Sequence, residues 1–177
     1  FVTYNASQDV SRVLDILDTI SKHEVWQVRN AVAHFLRCFQ GCHKFLFTEP
    51  QTSTARNIIL TMLADERKEV SNAAMSALTG LLASCPTQNV AAMVEKHIQR
   101  ANAVIHRRKN KNQKTTSHEI DKNTVIKQQT SVYFLCAAVL SRPYHTPAYT
   151  PKALATLSKH SYERNASFVI RETVKMC

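Results

Sequence analysis

The chain has 177 residues, of which 44% are hydrophobic and 20% are charged, so it can bury a sizeable core without disulfides. Lysine and arginine outnumber aspartate and glutamate by 23 to 13, which favours anionic partners. No apolar stretch approaches the roughly 20 residues of a membrane span, and five cysteines without a repeated close spacing are typical of reduced thiols. We therefore expect no membrane partner and a location in the nucleus and cytoplasm.

Apolar residues recur at helical spacing and predict helices that follow one another in pairs. Glycine and proline number only 2 and 5, and no segment alternates with a period of two, so strands are not expected. The predicted helices lie at 10–20 and 25–39, 55–63 and 70–81, 90–105 and 126–140, and 150–157 and 168–174.

A β-branched residue recurs near the start of the second helix of each pair, followed by a base or a serine. The four occurrences are Val28-Arg29, Val70-Ser71, Ile126-Lys127 and Ile170-Arg171. Their spacings of 42, 56 and 44 residues are typical of HEAT repeats. The sequence thus predicts an all-α, HEAT-like helical-repeat solenoid of about four antiparallel helix pairs, in a single domain over 1–177. We expect the three bases to pair with acidic residues of a neighbouring turn.

Two segments depart from this repeat. A basic, apolar-poor segment at about 106–121 accounts for the long middle spacing, and its composition predicts a mobile loop. Prolines and tyrosines at 141–151 predict an ordered, extended connector that packs its two tyrosines on the adjoining helices.

Clustered bases are the main electrostatic feature of the chain. They have three interpretations: a solvated loop, a nuclear localisation element, or a polyanion site that attracts phosphates by counterion release. Because the cluster lacks aromatic residues that would stack on bases, sequence-specific nucleic-acid recognition is not expected. The cluster comprises Arg100, Arg107, Arg108, Lys109, Lys111 and Lys114.

Catalytic and metal-binding chemistry have little support in the sequence. Cys38, Cys42 and His43, with His34 on the same helical face, have metal-ligand residue types, but no second closely spaced pair accompanies them. No local signature joins a nucleophile to a base and an oxyanion donor. We therefore expect no metal, no catalytic residue and no enzymatic activity.

Three stretches of the chain resemble the C-terminal region of the giant HEAT-repeat proteasome activator family, the proteasome activator complex subunit 4 family. They are 25–47, 69–85 and 131–157, and the most specific part is the proline-tyrosine connector. The resemblance implies a regulatory, non-catalytic scaffold of an ATP-independent activator that docks on the end ring of the core proteasome and promotes degradation. It also implies inositol polyphosphates as ligands of basic openings, and no other cofactor is expected.

The resemblance implies a gate-opening Tyr-Tyr-x tail, which does not occur before Cys177. We therefore expect the chain to be a fragment that does not activate proteasomes alone. The alternative function is an acetyl-lysine reader of histones, or a polyanion-binding, bromodomain-like module. In the family the acetyl-lysine pocket uses a phenylalanine, matched by Phe47, and an Asn-Phe pair, replaced here by Cys85-Pro86. Asn89 is the nearest substitute for the missing amide, so we expect weak or absent binding of acetylated histones.

Overall fold

A computed structural model describes residues 6–111 and 122–162 of the chain. Within these ranges all regular secondary structure is helical, and no strand is present. The α-helices are α1 (Ala6–Ile20), α2 (Trp26–His43), α3 (Glu49–Met62), α4 (Lys68–Ser84), α5 (Thr87–Lys111), α6 (Lys122–Leu140) and α7 (Thr150–Tyr162), and a 3-10 helix (Lys44–Leu46) follows α2. The predicted all-α, helical-repeat class is confirmed. The number of helix pairs stays a prediction, because the segment at 168–174 lies outside the described residues.

The chain divides into two compact units, Phe1–Ser84 and Cys85–Cys177. The expectation of a single domain over 1–177 stays a prediction. The first unit carries eight bases and eight acidic residues, whereas the second carries fifteen and five. The whole net charge of +10 therefore belongs to the second unit. None of the described helices is long and apolar enough to span a membrane.

Helices α1 to α4 build the first unit as two successive helix pairs. Short turns at 21–25 and 63–67 join α1 to α2 and α3 to α4. Across the pairs, α2 packs extensively on α4 and α1 packs on α3, which is how neighbouring units stack in helical-repeat proteins. Periodic apolar residues place the core between the pairs, where the side chains of Leu36, Ile58, Ile59, Leu78 and Leu82 are buried.

An arginine fork ties the two pairs of the first unit together. The Arg29 side chain donates from Nε to Asp65 Oδ2 at 2.6 Å and from Nη2 to Asp65 Oδ1 at 2.9 Å. Its Nη1 donates to the backbone carbonyls of His23 and Glu24 at 2.8 and 2.9 Å. Asp65 lies in the turn between α3 and α4, so the predicted pairing of Arg29 with an acidic residue of a neighbouring turn is confirmed. Lys127 is exposed and has no acidic partner among the described residues.

Burial pushes the pKa of the Asp65 carboxyl up, but the hydrogen bonds from Arg29 and from the Arg67 backbone N–H outweigh burial. The positive charges of Arg29 and Arg67 also lower the pKa of Asp65, which therefore lies below its ordinary value. The same contact raises the pKa of Arg29. The pair is therefore fully ionised at neutral pH.

In the second unit α6 packs against both α5 and α7. Its segment 131–138 is buried all round, as expected for a helix between two others. The ring of His97 on α5 stacks on Phe134, with centroids 3.9 Å apart and planes 10° apart, and His97 Nδ1 lies 3.4 Å from the hydroxyl of Ser131. Burial, reinforced by the charges of Arg100 and Lys96, lowers the pKa of His97 to about 4.

The connector between α6 and α7 spans 141–149. Arg142 fixes it by donating from Nη2 to the carbonyl of Cys85 at 2.6 Å. Tyr149 is buried as predicted, but Tyr144 is fully exposed, so the expectation that both tyrosines pack on helices is wrong for Tyr144. The turn at 142–145, closed by the bond from the His145 N–H to the Arg142 carbonyl, includes Tyr144.

Helix α5 runs to Lys111 and so includes the first part of the basic segment that the sequence assigned to a loop. Arginine and lysine are good helix formers, which explains the extension. Residues 112–121 lie outside the described residues, and the expectation of a mobile loop stays a prediction for them.

Candidate functional site: a small pocket beside Phe47

A small pocket lies within the first unit, between α2, α3 and α4. Its volume is about 30 Å³, roughly twice what a single water molecule needs. The pocket therefore has room for the tip of a ligand side chain rather than for a whole small molecule. Its lining residues are Gln40, Phe47, Thr52, Leu81 and Ser84.

A row of aromatic rings holds Phe47 at this pocket. Phe35 and Phe39 lie one helical turn apart on α2, and their rings stack with centroids 5.4 Å apart. The ring of Phe39 then meets Phe47 edge to face, with centroids 5.4 Å apart and planes 64° apart, a preferred geometry for aromatic pairs. His43 contacts Phe39 from the next turn. Phe47 is thus oriented by neighbours and does not depend on a ligand for its position.

Gln40 is the unusual residue of the pocket. It follows Leu36 by one helical turn, so it lies on the apolar face of α2, where it is only 8% exposed. Neither its Oε1 nor its Nε2 has a hydrogen-bond partner among the described residues. Buried amides are nearly always paired in folded proteins, so a buried amide without a partner is unusual at this position.

The pocket is built from residues of the first unit alone. Of the residues predicted to bind acetyl-lysine, Phe47 lines it. Cys85, Pro86 and Asn89 belong to the second unit, where Cys85 is half-buried and the other two are exposed. Acetyl-lysine binding by these four residues stays a prediction. Gln40 is not among the residues predicted from the sequence, although a polar side chain on the apolar stripe of α2 is a signal that the sequence contains.

The structure describes the predicted basic cluster only in part. Arg100 is exposed on α5, whereas the side chains of Arg107, Arg108, Lys109 and Lys111, at the end of that helix, lie outside the described residues. Lys114 lies outside them altogether. Polyanion binding and nuclear localisation therefore stay predictions.

The cysteines of α2 are free and exposed at positions 38 and 42. In the described part of the chain, no group of three or more histidine, cysteine, aspartate or glutamate residues is placed to hold a metal ion.

Comparisons with known proteins show that the chain is similar to proteasome activator proteins. A family model described as "Proteasome activator complex subunit 4-like, C-terminal" matches residues 125–177. Among curated proteins, the chain is similar to proteasome activator complex subunit 4 of Xenopus laevis, with 29% identity over 157 residues, and of Homo sapiens, with 27% over 154 residues. Each alignment covers 85% of the chain. The chain is thus similar to proteins of the proteasome activator complex subunit 4 family.

The similarity extends beyond the part matched by the family model. Proteasome activator subunit 4 of Arabidopsis thaliana is 23% identical over 154 residues, which cover 87% of the chain. Alignments of this length necessarily include the pocket residues between 40 and 84. The chain spans only 8% of the length of these relatives, so the similarity concerns a small section of each of them.

Proposed function

We propose that the chain is a non-catalytic scaffold section of a proteasome activator of the subunit 4 family. In the whole protein, this section would support docking on the end ring of the core proteasome and the promotion of degradation without ATP. The observation that carries the proposal is the similarity to proteins named proteasome activator over most of the chain. Its partner is therefore the core proteasome, reached through the full-length protein.

The packing of the first unit supports a scaffold role. Successive helix pairs bury their apolar faces on one another, and the Arg29 fork to Asp65 fixes one pair against the next. Such stacked pairs present extended surfaces whose shape depends on the angle between neighbours. A section of this kind acts by holding other surfaces in place.

Binding of the full-length protein to purified core proteasomes tests the proposal. Arg29→Ala should weaken co-sedimentation with the core proteasome several-fold, because it loosens the contact between helix pairs. Arg37→Ala is the matched control, since Arg37 is an exposed arginine on the same helix. Equal binding by a protein that lacks residues 1–177 would contradict the proposal.

A second candidate function is recognition of acetyl-lysine, as in a bromodomain-like module that binds acetylated histones. The placement of Phe47 in a pocket favours it, whereas Cys85 and Pro86 lack the amide and the aromatic ring of the family motif. Calorimetry with acetylated and unmodified histone-tail peptides tests this function. Binding that requires the acetyl group should be lost in Phe47→Ala and kept in Phe45→Ala, because Phe45 is 89% exposed.

The charge of the second unit favours binding of polyanions, including inositol polyphosphates, and a nuclear as well as cytoplasmic location. All of the net charge of +10 falls in 85–177, and clustered bases bind phosphates whatever their scaffold. Inositol hexakisphosphate should bind more weakly as salt increases. Replacing Arg107, Arg108 and Lys109 by alanine should weaken it further, and unchanged affinity in that variant would refute the assignment.

A further inference from the structure

Two thiols lie side by side on the exposed face of α2. Cys38 and Cys42 are free and exposed, and both belong to the regular α-helix Trp26–His43. Residues four positions apart in an α-helix are neighbours on one face, with Cβ atoms about 5–6 Å apart. Leu36 and Gln40, on the opposite face, are buried, so the two cysteines share the face that points away from the core.

This separation is unsuited to a disulfide and suited to a bridging ion. A disulfide requires Cβ atoms about 3.5–4.5 Å apart, so the helix disfavours a bond between the two thiols. Two sulfur–metal bonds of about 2.3 Å in a line would hold the sulfur atoms roughly 4.5 Å apart. Each sulfur lies one bond from its Cβ, so thiols on neighbouring turns can reach this distance in ordinary side-chain rotamers.

The ligand set selects a soft monovalent ion. Thiolates prefer soft ions such as Cu(I), and Cu(I) is satisfied by two sulfur ligands in a line. The expectation of no metal concerns zinc, which takes four ligands, and in the described part of the chain no group of three suitable residues is placed to hold an ion. His34 shares the face, but two helical turns, about 12 Å along the axis, separate it from Cys42. A site here is therefore two-coordinate.

The charges along this part of the chain favour such a complex. When Cu(I) binds, both thiols lose their protons to solvent, so two thiolates and one monovalent cation carry one net negative charge. The stretch 25–48 contains three bases and no aspartate or glutamate. One of the bases, Arg37, is exposed and directly precedes Cys38. The nearest charges in the sequence are thus opposite in sign to the complex.

We propose that Cys38 and Cys42 form a two-coordinate site that binds Cu(I) as a linear bis-thiolate. The site uses residues of the first unit alone and involves neither Phe47 nor the Arg29 fork, so it is independent of the proposed functions. Of the other described cysteines, Cys136 is buried and Cys85 is half-buried. Only the α2 pair therefore offers two accessible thiols one turn apart among the described residues.

Competition with a chromogenic chelator tests the proposal. The reduced chain is titrated with Cu(I) under argon in the presence of bathocuproine disulfonate, whose colour reports the Cu(I) that the chain leaves unbound. A single ion should bind. Cys38→Ser and Cys42→Ser should each weaken binding at least about a hundredfold, because one arm of the chelate is lost. Cys85→Ser is the matched control and should leave the affinity unchanged.

A transposed pair distinguishes ligation from a structural role of Cys42. His34 is exposed one turn before Cys38, so His34→Cys combined with Cys42→Ser recreates two thiols one turn apart and should restore the affinity. Because positions 34, 38 and 42 are all exposed, the variants should keep the circular dichroism spectrum of the original chain.

Four results would overturn the proposal. They are no uptake of Cu(I) by the reduced chain, unchanged affinity in Cys38→Ser, weakened binding in Cys85→Ser, and a folded transposed variant that does not bind. Mass spectrometry after mild oxidation tests the geometry separately. Ready formation of a disulfide between Cys38 and Cys42 would refute the separation on which the site depends.

Discussion

Replacing Arg29 by alanine tests how the first two helix pairs are held together. The guanidinium donates two hydrogen bonds to Asp65 and two more to backbone carbonyls in the turn before α2. The side chains of Arg29 and Asp65 are only 17% and 8% exposed, so solvent screens the pair weakly. Arg29→Ala leaves the Asp65 carboxylate largely buried, with the N–H of Arg67 as a remaining donor.

Arg29→Ala should lower the free energy of unfolding by about 2–4 kcal/mol. One charge-assisted hydrogen bond contributes about 1.5–3 kcal/mol, and breaking a fully buried ion pair costs about 3–5 kcal/mol. The lower part of that range applies here, because Asp65 keeps one donor and Arg29 is partly exposed. Arg29→Lys keeps the charge but loses the planar fork, so it should cost about 1–2 kcal/mol.

Urea unfolding followed by the fluorescence of Trp26 measures this loss. Trp26 is the single tryptophan of the chain and begins α2, so its signal reports on the first unit. Arg29→Ala should lower the midpoint by roughly 1–2 M urea, and the exposed control Arg37→Ala should leave it unchanged. If the two variants unfold at the same midpoint, the fork does not hold the helix pairs together.

Acid should remove the same contribution in the original chain. The pKa of Asp65 is lowered on folding, so the stabilisation is present above the ordinary aspartate pKa and is lost as pH falls through the folded value. The difference in stability between the original chain and Arg29→Ala should therefore be full at pH 7 and shrink below about pH 4. A difference that stays constant down to pH 2 would show that the ion pair is not its source.

Two further predictions concern the second unit. The pKa of His97 falls from 6.5 to about 4 on folding, so the unfolded state takes up a proton at higher pH than the folded state, and the free energy of unfolding should drop by up to about 3 kcal/mol as pH falls from 6.5 to 4. In urea unfolding at a series of pH values, His97→Phe should reduce this dependence on pH. An unchanged dependence would mean that another group titrates. Arg142→Ala should lower the thermal unfolding midpoint of the second unit, because it removes the hydrogen bond to the Cys85 carbonyl. Tyr144→Ala is the control and should have no effect, since Tyr144 is fully exposed. Equal midpoints in the two variants would refute the anchoring role of Arg142.

The helices could be predicted from the sequence because burial follows the helical period. The predicted helix at 70–81 lies within α4, and the one at 55–63 lies within α3 except for Leu63, which follows its last residue. The predicted start of the second helix at residue 25 differs by one from the observed start at Trp26. Sequence spacing also suggested that Arg29 pairs with an acid. It could not choose among Asp65, Glu66 and Glu69, because that choice depends on the geometry of the turn between α3 and α4.

The candidate site was harder to predict. The resemblance indicated Phe47, and the structure places it at a pocket. Gln40 could not be predicted from the sequence, because its hydrogen-bonding state depends on which atoms surround it in space, and hydrophobic periodicity does not determine those atoms. The exposure of Tyr144 was missed for a similar reason, since a tyrosine near prolines can pack on a helix or point outward, and only the path of the connector decides.

Peptide hydrolysis by purified core proteasomes is the most direct test of the proposed scaffold role in a proteasome activator. The full-length protein that carries this chain is added without ATP, and release of a fluorogenic peptide product is followed. We expect a several-fold rise in rate, preserved in Arg37→Ala and reduced in Arg29→Ala. An unchanged rate with the intact protein, or an equal rise with a protein that lacks residues 1–177, would refute the proposed function.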